Sequence, residues 1–189
     1  MKKLILLTLV LTSVLHAAPV HKTSYHWYDG SQKKTVWINA ELVGEFDETS
    51  VVQPSVQGAQ QVRGQFGTTR IWRLPKNQLS ANVASRMRQQ HARASVSPVF
   101  HDRNTPKAAF RALPGDVIVV FKPTWSDAQI KNWLSGLNLQ VVEKMTHEKN
   151  AYLVQSAPGL ASIATANRIY ETGQVVSSSP NWWSEREAK

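Results

Sequence analysis

The chain has 189 residues, a formal net charge of +9 at pH 7 and no cysteine. The lack of cysteine excludes a disulfide framework, catalysis by a thiolate and a cysteine-ligated zinc site. The length allows one large domain or two small ones, and the excess of positive charge favours an acidic partner, whether a protein, a polyanion or a membrane surface.

The N-terminal segment has the pattern of a secretory signal peptide. Two lysines precede an almost unbroken apolar run over residues 4–15, and Ala17 is a small residue at a cleavage position. A membrane-spanning helix would need about 20 apolar residues. We therefore expect residues 1–17 to be removed near Ala17, residues 18–24 to form a flexible leader, and the mature protein to be periplasmic or secreted without a membrane anchor.

A first domain is predicted over residues 25–102, mainly β with one helix. Aromatic and β-branched residues alternate on both sides of Asp29 and Gly30, which is typical of a hairpin because glycine tolerates the positive φ of such turns. A short helical turn capped by Asn39 is predicted over residues 39–46. The other predicted elements are strands over 50–53, 68–74 and 96–100 and a basic amphipathic helix over 79–92.

A linker and domain boundary are predicted over residues 103–112, which are charged and have no sustained apolar period. The segment between residues 63 and 111 is strongly basic, since Asp102 is its only acidic residue. Such a field either attracts an acidic partner or is a solvated face with no partner. Its cations are Arg63, Arg70, Arg73, Lys76, Arg86, Arg88, Arg93, Arg103, Lys107 and Arg111.

The clearest pattern lies in residues 113–183, where strands and helices follow in the order β-α-β-β-α-β. Ser126 and Gln129 form a capping box at the start of the first helix, and an apolar stripe follows at helical spacing. This order predicts a ferredoxin-like sandwich with both helices on one face of an antiparallel sheet, and so an α+β fold. The predicted strands are 116–122, 139–145, 151–155 and one beginning at 175, and the predicted helices are 126–137 and 159–171.

The first strand of this unit is apolar at every position from Val117 to Phe121. Both of its faces therefore favour burial, whereas the two helices can cover only one. We expect the other face to lie against the N-terminal domain or against another protein.

The sequence shows no motif for catalysis or for a cofactor. There is no HExxH pair, glycine-rich phosphate loop or nucleophile elbow, and the His101-Asp102 and His147-Glu148 pairs lack an evident nucleophile. A Ser-His-Asp set assembled in space stays open, because such sets are recognised by geometry. We expect no enzyme activity, no catalytic residue, no metal and no cofactor.

Several segments resemble the propeptides of subtilisin-like serine proteases, over about seventy residues of the C-terminal unit. These segments are LPGDVIV (113–119), LQVVEK (139–144), NAYLV (150–154) and VVSSSPN (175–181). A more specific resemblance covers most of the mature chain and is to the family of the external chaperone of the Aeromonas serine protease. It rests on YHWYDG (25–30), TVWIN (35–39), ANRIYE (166–171) and PNWW (180–183).

The resemblance implies a separately encoded, exported propeptide that helps a subtilisin-like protease to mature and then blocks its active site. In such propeptides the sheet face without helices packs on the protease, and the C-terminal end enters the substrate cleft. A terminal lysine would suit an acidic primary pocket, such as that of a kexin-like protease. The predicted surface contacts are Val117, Val119, Phe121, Asn181, Trp182 and Trp183. The predicted cleft contacts are Ser184, Glu185, Arg186, Glu187, Ala188 and Lys189.

The expected partner is one protease molecule per chain. Nucleic acid is not expected, because no recognised binding module is present in a chain predicted to be exported. Two other functions stay open: a secreted protease inhibitor with no folding role, and a basic periplasmic binding module. For the tail, simple fraying is the alternative to an inhibitory role.

Overall fold

A computed structural model of the chain describes residues 24–62, 68–103, 109–146 and 148–185. These residues form a mixed α+β fold with two antiparallel sheets and four helices. The strands are β1 Ser24–Asp29, β2 Gln32–Glu45, β3 Gln60–Gln61, β4 Arg70–Arg73, β5 Val96–His101, β6 Arg111–Ala112, β7 Val117–Phe121, β8 Val141–Lys144, β9 Ala151–Val154, β10 Val175–Pro180 and β11 Trp183–Ser184. The helices are α1 Val52–Ser55, α2 Ser80–Gln90, α3 Asp127–Gly136 and α4 Leu160–Glu171.

The larger sheet is built around β2, which is 14 residues long. The strand order is β11-β6-β5-β2-β4-β3, and β1 pairs with the first half of β2. The predicted hairpin is confirmed, with Asp29 opposite Gln32 and Gly30 at φ +58 between them. The predicted strands and helix near β4, α2 and β5 are also confirmed, and α2 covers the sheet through Val83 and Met87.

The helical turn predicted over residues 39–46 is wrong, because β2 continues through Glu45 and pairs with β4 and β5. The side chain of Asn39 accepts a hydrogen bond from the Glu41 amide at 3.0 Å, where the β2–β5 register shifts between Asn39 and Val43. Asparagine side chains bind nearby backbone amides in local turns at bulges as well as at helix N-caps.

The strand predicted over residues 50–53 is also wrong, because α1 begins at Val52. The cause is the fully buried carboxylate of Glu45, which accepts hydrogen bonds from the amides of Val51 (2.6 Å) and Val52 (3.0 Å). The same carboxylate accepts from the Trp72 indole at 2.8 Å. A buried charge needs such partners, and they turn these amides away from a sheet ladder.

The smaller sheet has the strand order β10-β7-β9-β8, and all its neighbouring strands are antiparallel. Both helices cover one face of this sheet. Ile130 and Leu134 of α3 pack with Ala166 and Ile169 of α4 in a single buried cluster. The capping box at Ser126 is confirmed at the start of α3.

The two sheets are joined at both ends of the C-terminal unit. The last two residues of the predicted linker, Arg111 and Ala112, form β6, and β11 pairs with β6 in the larger sheet. Ser24, the last residue of the predicted leader, begins β1. The C-terminal unit therefore leaves the larger sheet through β6 and returns to it through β11.

Aromatic side chains fill the junction between the two sheets. The Trp182 ring lies 5.4 Å from Trp27 and 5.5 Å from Phe100, measured between ring centroids. Tyr28 of β1 stacks on Tyr170 of α4 at 4.2 Å. Rings at these distances contribute about 0.5–1.5 kcal/mol per pair beyond their area burial, and they pack the larger sheet against α4 and the segment after β10.

The first turn of α3 is tied to β8 by an exposed ion pair. The ammonium of Lys144 lies 2.8 Å from each oxygen of Asp127, and the Tyr152 hydroxyl donates to Asp127 Oδ1 at 2.8 Å. The hydrogen bond from Lys144, and after it the one from Tyr152, lowers the pKa of Asp127 below its ordinary value of 3.8.

In the variant Asp127→Asn, the free energy of unfolding is expected to fall less in acid than it does in the wild type. Because the pKa of Asp127 is lower in the folded chain, its stabilising contribution is complete above pH 3.8 and is lost as the pH falls through the folded-state pKa. Urea unfolding from about pH 2 to about pH 6 measures this effect. Glu143→Gln, which neutralises a carboxylate on the strand of Lys144, is the control. Parallel curves for wild type and Asp127→Asn would contradict the expectation.

Candidate functional site

The predicted surface contacts Val117, Val119 and Phe121 face the helices. Their relative exposures are 0%, 0% and 1%, and they belong to the cluster that contains α3 and α4. The prediction that they contact a partner is therefore wrong. Every position of β7 is apolar, so the sequence could not show which alternate set points to the helices, and a shift of one residue exchanges the two faces.

The opposite face of the smaller sheet carries the other alternate set of side chains, and we call it the open face. Its centre is formed by the cross-strand pairs Ile118–Leu153 and Val120–Ala151. Ile118 and Leu153 are half-buried, whereas Val120 is 8% exposed. Polar side chains flank this centre on both edge strands, with Ser177 and Ser179 on β10 and Glu143 on β8. An apolar centre with a polar rim is the usual anatomy of a protein-binding surface.

The N-terminal strands contact the C-terminal unit through α4 and the β10 edge. The Asn167 side chain donates to the carbonyl of His26 at 2.9 Å, and the Ser179 hydroxyl donates to the carbonyl of Tyr28 at 3.0 Å. The Ser179 contact engages part of the β10 rim of the open face, whereas Ile118 and Leu153 at its centre keep part of their surface accessible.

The predicted contacts Asn181, Trp182 and Trp183 are engaged within the chain. The backbone N–H of Asn181 donates to the carbonyl of Asp116 at 3.3 Å, and Trp183 packs against Phe46 with ring centroids 6.1 Å apart. All three predicted contacts are half-buried. Their packing fixes the point from which the chain continues into the predicted tail.

The tail begins inside the larger sheet. Ser184 pairs with Arg111 in β6, and the Glu185 amide donates to the carbonyl of Phe110 at 2.9 Å. The other four predicted cleft residues, Arg186 to Lys189, lie outside the described residues, as do the predicted signal peptide and His147. Two of the six predicted cleft residues, Ser184 and Glu185, are therefore held by the larger sheet.

The basic segment is partly neutralised within the fold. Arg111 lies 2.9 Å from Asp102 and sits over the Trp182 ring at 5.7 Å. Arg70 donates to the carbonyl of Asp47 at 2.7 Å and lies 3.6 Å from the carboxylate of Glu45. The field that remains for a partner is smaller than the sequence suggests.

His101 and Asp102, the pair considered as a catalytic candidate, contact different neighbours. His101 Nε2 lies 3.1 Å from the amide nitrogen of Asn39, whereas Asp102 pairs with Arg111. In the described ranges no cluster of three or more His, Asp or Glu could hold a metal ion. No helix among these residues is long and apolar enough to cross a membrane.

A scan against protein-family models found no match, and searches of curated proteins and of solved structures likewise found none.

Proposed function

We propose that the chain is an exported chaperone and inhibitor of a subtilisin-like serine protease, with one chain bound to each protease molecule. The observation that carries the proposal is the open face, an apolar sheet surface with Ile118 and Leu153 accessible at its centre. The choice of a subtilisin-like protease as the partner rests on the resemblance of the chain to protease propeptides. The strand order β10-β7-β9-β8 with two helices on one face supports the finer assignment to a ferredoxin-like unit.

The chaperone activity works through the open face. A large protease fold has many non-local contacts and closes slowly, because chain entropy is lost before those contacts form. A preformed sheet that holds two surface helices of the protease lowers this barrier. Because the sheet binds the folded protease and not the unfolded chain, it also stabilises the product by mass action.

The inhibitory activity works through the residues after β11. Four residues in extended conformation span about 13 Å, which is long enough to lie along a substrate cleft as an added strand. Residues 186–189 would occupy the cleft, with Lys189 at an acidic primary pocket. Ser184 and Glu185, which the sheet holds, would set the position and direction of entry.

Refolding of the protease tests the proposal. A subtilisin-like protease captured on this protein from the secreting culture is denatured in guanidinium chloride and diluted with or without one molar equivalent of the protein. We expect at least about a tenfold higher yield of folded protease with the protein, because faster folding competes better with aggregation. Folded protease is measured by native gel and circular dichroism, since its activity would be inhibited. If the yields with and without the protein are equal and the protease is still inhibited, the protein is an inhibitor without a folding role.

A further inference from the structure

A polar groove separates the C-terminal end of α2 from the loop that leads into α4. Its volume is about 640 Å³. The larger-sheet unit supplies Arg88, Arg93 and Ser95 to its wall, and the C-terminal unit supplies Gln140, Gln155 and Ser156. Among the described residues, the lining includes none of the four at the centre of the open face and none of the tail, so the two proposed activities do not account for the groove.

The charge of the groove is entirely positive. Two arginines and no carboxylate are among the described residues that line it, and the chain has no acidic residue from Thr49 to His101. Two carboxylates lie behind the walls: Asp47 accepts a hydrogen bond from the Ser95 amide at 2.8 Å, and Asp116 accepts one from the Ser156 amide at 3.2 Å. An anion that enters the groove therefore meets donors without an opposing carboxylate on its lining.

Arg88 is partly desolvated and has N–H donors that could bind such an anion. Its side chain is half-buried, and burial lowers its pKa. One of its nitrogens donates to the carbonyl of Val96 at 3.1 Å, whereas a guanidinium carries five N–H donors in a planar fork. A partly desolvated guanidinium with unused donors binds a carboxylate more strongly than a fully hydrated one does.

The opposite wall favours a peptide over a bare anion. Asn138, Gln140 and Gln155 carry side-chain amides, and Ser156 carries a hydroxyl. These groups accept hydrogen bonds as well as donate them, which matches the alternating N–H and C=O groups of a polypeptide backbone. A sulfate ion, which carries no N–H or O–H group, would use donors alone, and a phosphate ion has only one or two O–H groups to donate.

We propose that this groove binds an acidic segment of a polypeptide in extended conformation. Carboxylates of the segment lie on Arg88 and Arg93, and its backbone lies against the amides of Gln140 and Gln155. The inference does not depend on which protein supplies the segment, and therefore stands apart from the proposed protease.

Binding of a defined probe tests the groove. The probe is a fluorescent, N-acetylated and C-amidated hexaglutamate peptide, titrated into the full chain at low salt and followed by anisotropy. The double variant Arg93→Gln/Gln140→Glu changes two exposed side chains and leaves Arg88 in place, so the fold is preserved. We expect binding to weaken about tenfold or more, or roughly 1.4 kcal/mol for the two lost contacts together.

The matched control is Arg86→Gln/Gln32→Glu, which makes the same change in net charge at exposed positions outside the groove lining. It should weaken binding by less than about threefold. Equal losses in the two double variants would overturn the proposal in favour of a diffuse basic field. Full displacement of the peptide by an equal concentration of inorganic phosphate would overturn it in favour of a bare-anion site. Amide NMR shifts concentrated at Ser95, Asn138 and Ser156 would support it.

Discussion

A variant that ends at Glu185 is expected to lose inhibition of the partner protease while it still promotes refolding. Removal of residues 186–189 takes away the whole segment proposed to enter the cleft and leaves β11 paired with β6. The inhibition constant should rise about a hundredfold or more, or roughly 2.7 kcal/mol, since backbone pairing and the pocket contact are both lost. Inhibition assays and refolding yields measured on the same preparations give the two readouts.

The last residue of the shortened chain must be chosen so that the larger sheet stays intact. Deletion from Ser184 would also remove the hydrogen bonds of β11 and loosen Trp183 from Phe46, so a loss of activity could then reflect a damaged sheet. A chain of unchanged length with Gly-Ser-Gly-Ser at residues 186–189 is the control for tail chemistry. If the shortened chain inhibits as well as the full one does, the cleft role of the tail is excluded.

Ile118→Asp is expected to abolish assistance to refolding without unfolding the protein. The Ile118 side chain lies on the open face and is half-buried, so the aspartate can reach water in the free protein. In the complex its charge would be desolvated against an apolar surface, which costs several kcal/mol. The refolding yield should fall about tenfold or more, to the level without the protein.

Two other substitutions show whether the effect belongs to the open face. Val119→Asp places the same charge among the helices at a fully buried position, and we expect it to unfold the C-terminal unit. Asn132→Asp, at an exposed position of α3, should change neither stability nor refolding. Circular dichroism and urea unfolding establish which variants are folded. A folded Ile118→Asp protein with full chaperone activity would exclude the open face as the binding surface.

Local patterns predicted the smaller sheet and its helices well. The capping box of Ser126 and Gln129 marks the start of α3 within one residue, because a cap is satisfied by neighbours along the chain. The same kind of argument failed at Asn39 and at residues 50–53. There, the outcome depends on pairing with β4 and β5 and on the buried Glu45 carboxylate, whose partners include the distant Trp72 as well as nearby backbone amides.

The candidate site was harder to predict than the fold. The sequence identified β7 as a strand with two apolar faces, but only its pairing with β9 shows that Ile118 and Val120 point away from the helices. The groove at Arg88 and Arg93 could not be predicted either, since its two walls come from segments about fifty residues apart. The run of arginines without acidic neighbours was the available signal.

The position of Trp182 sets the order in which the molecule can fold. Its ring completes the core around Trp27 and Phe100, so this core lacks one wall until residue 182 has been synthesised. One core of the larger sheet therefore depends on contacts between residues far apart in sequence, and such contacts slow folding. During synthesis, the N-terminal hairpin would lack this packing until residue 182 emerges, whereas the buried cluster under α2 needs only residues 43–96.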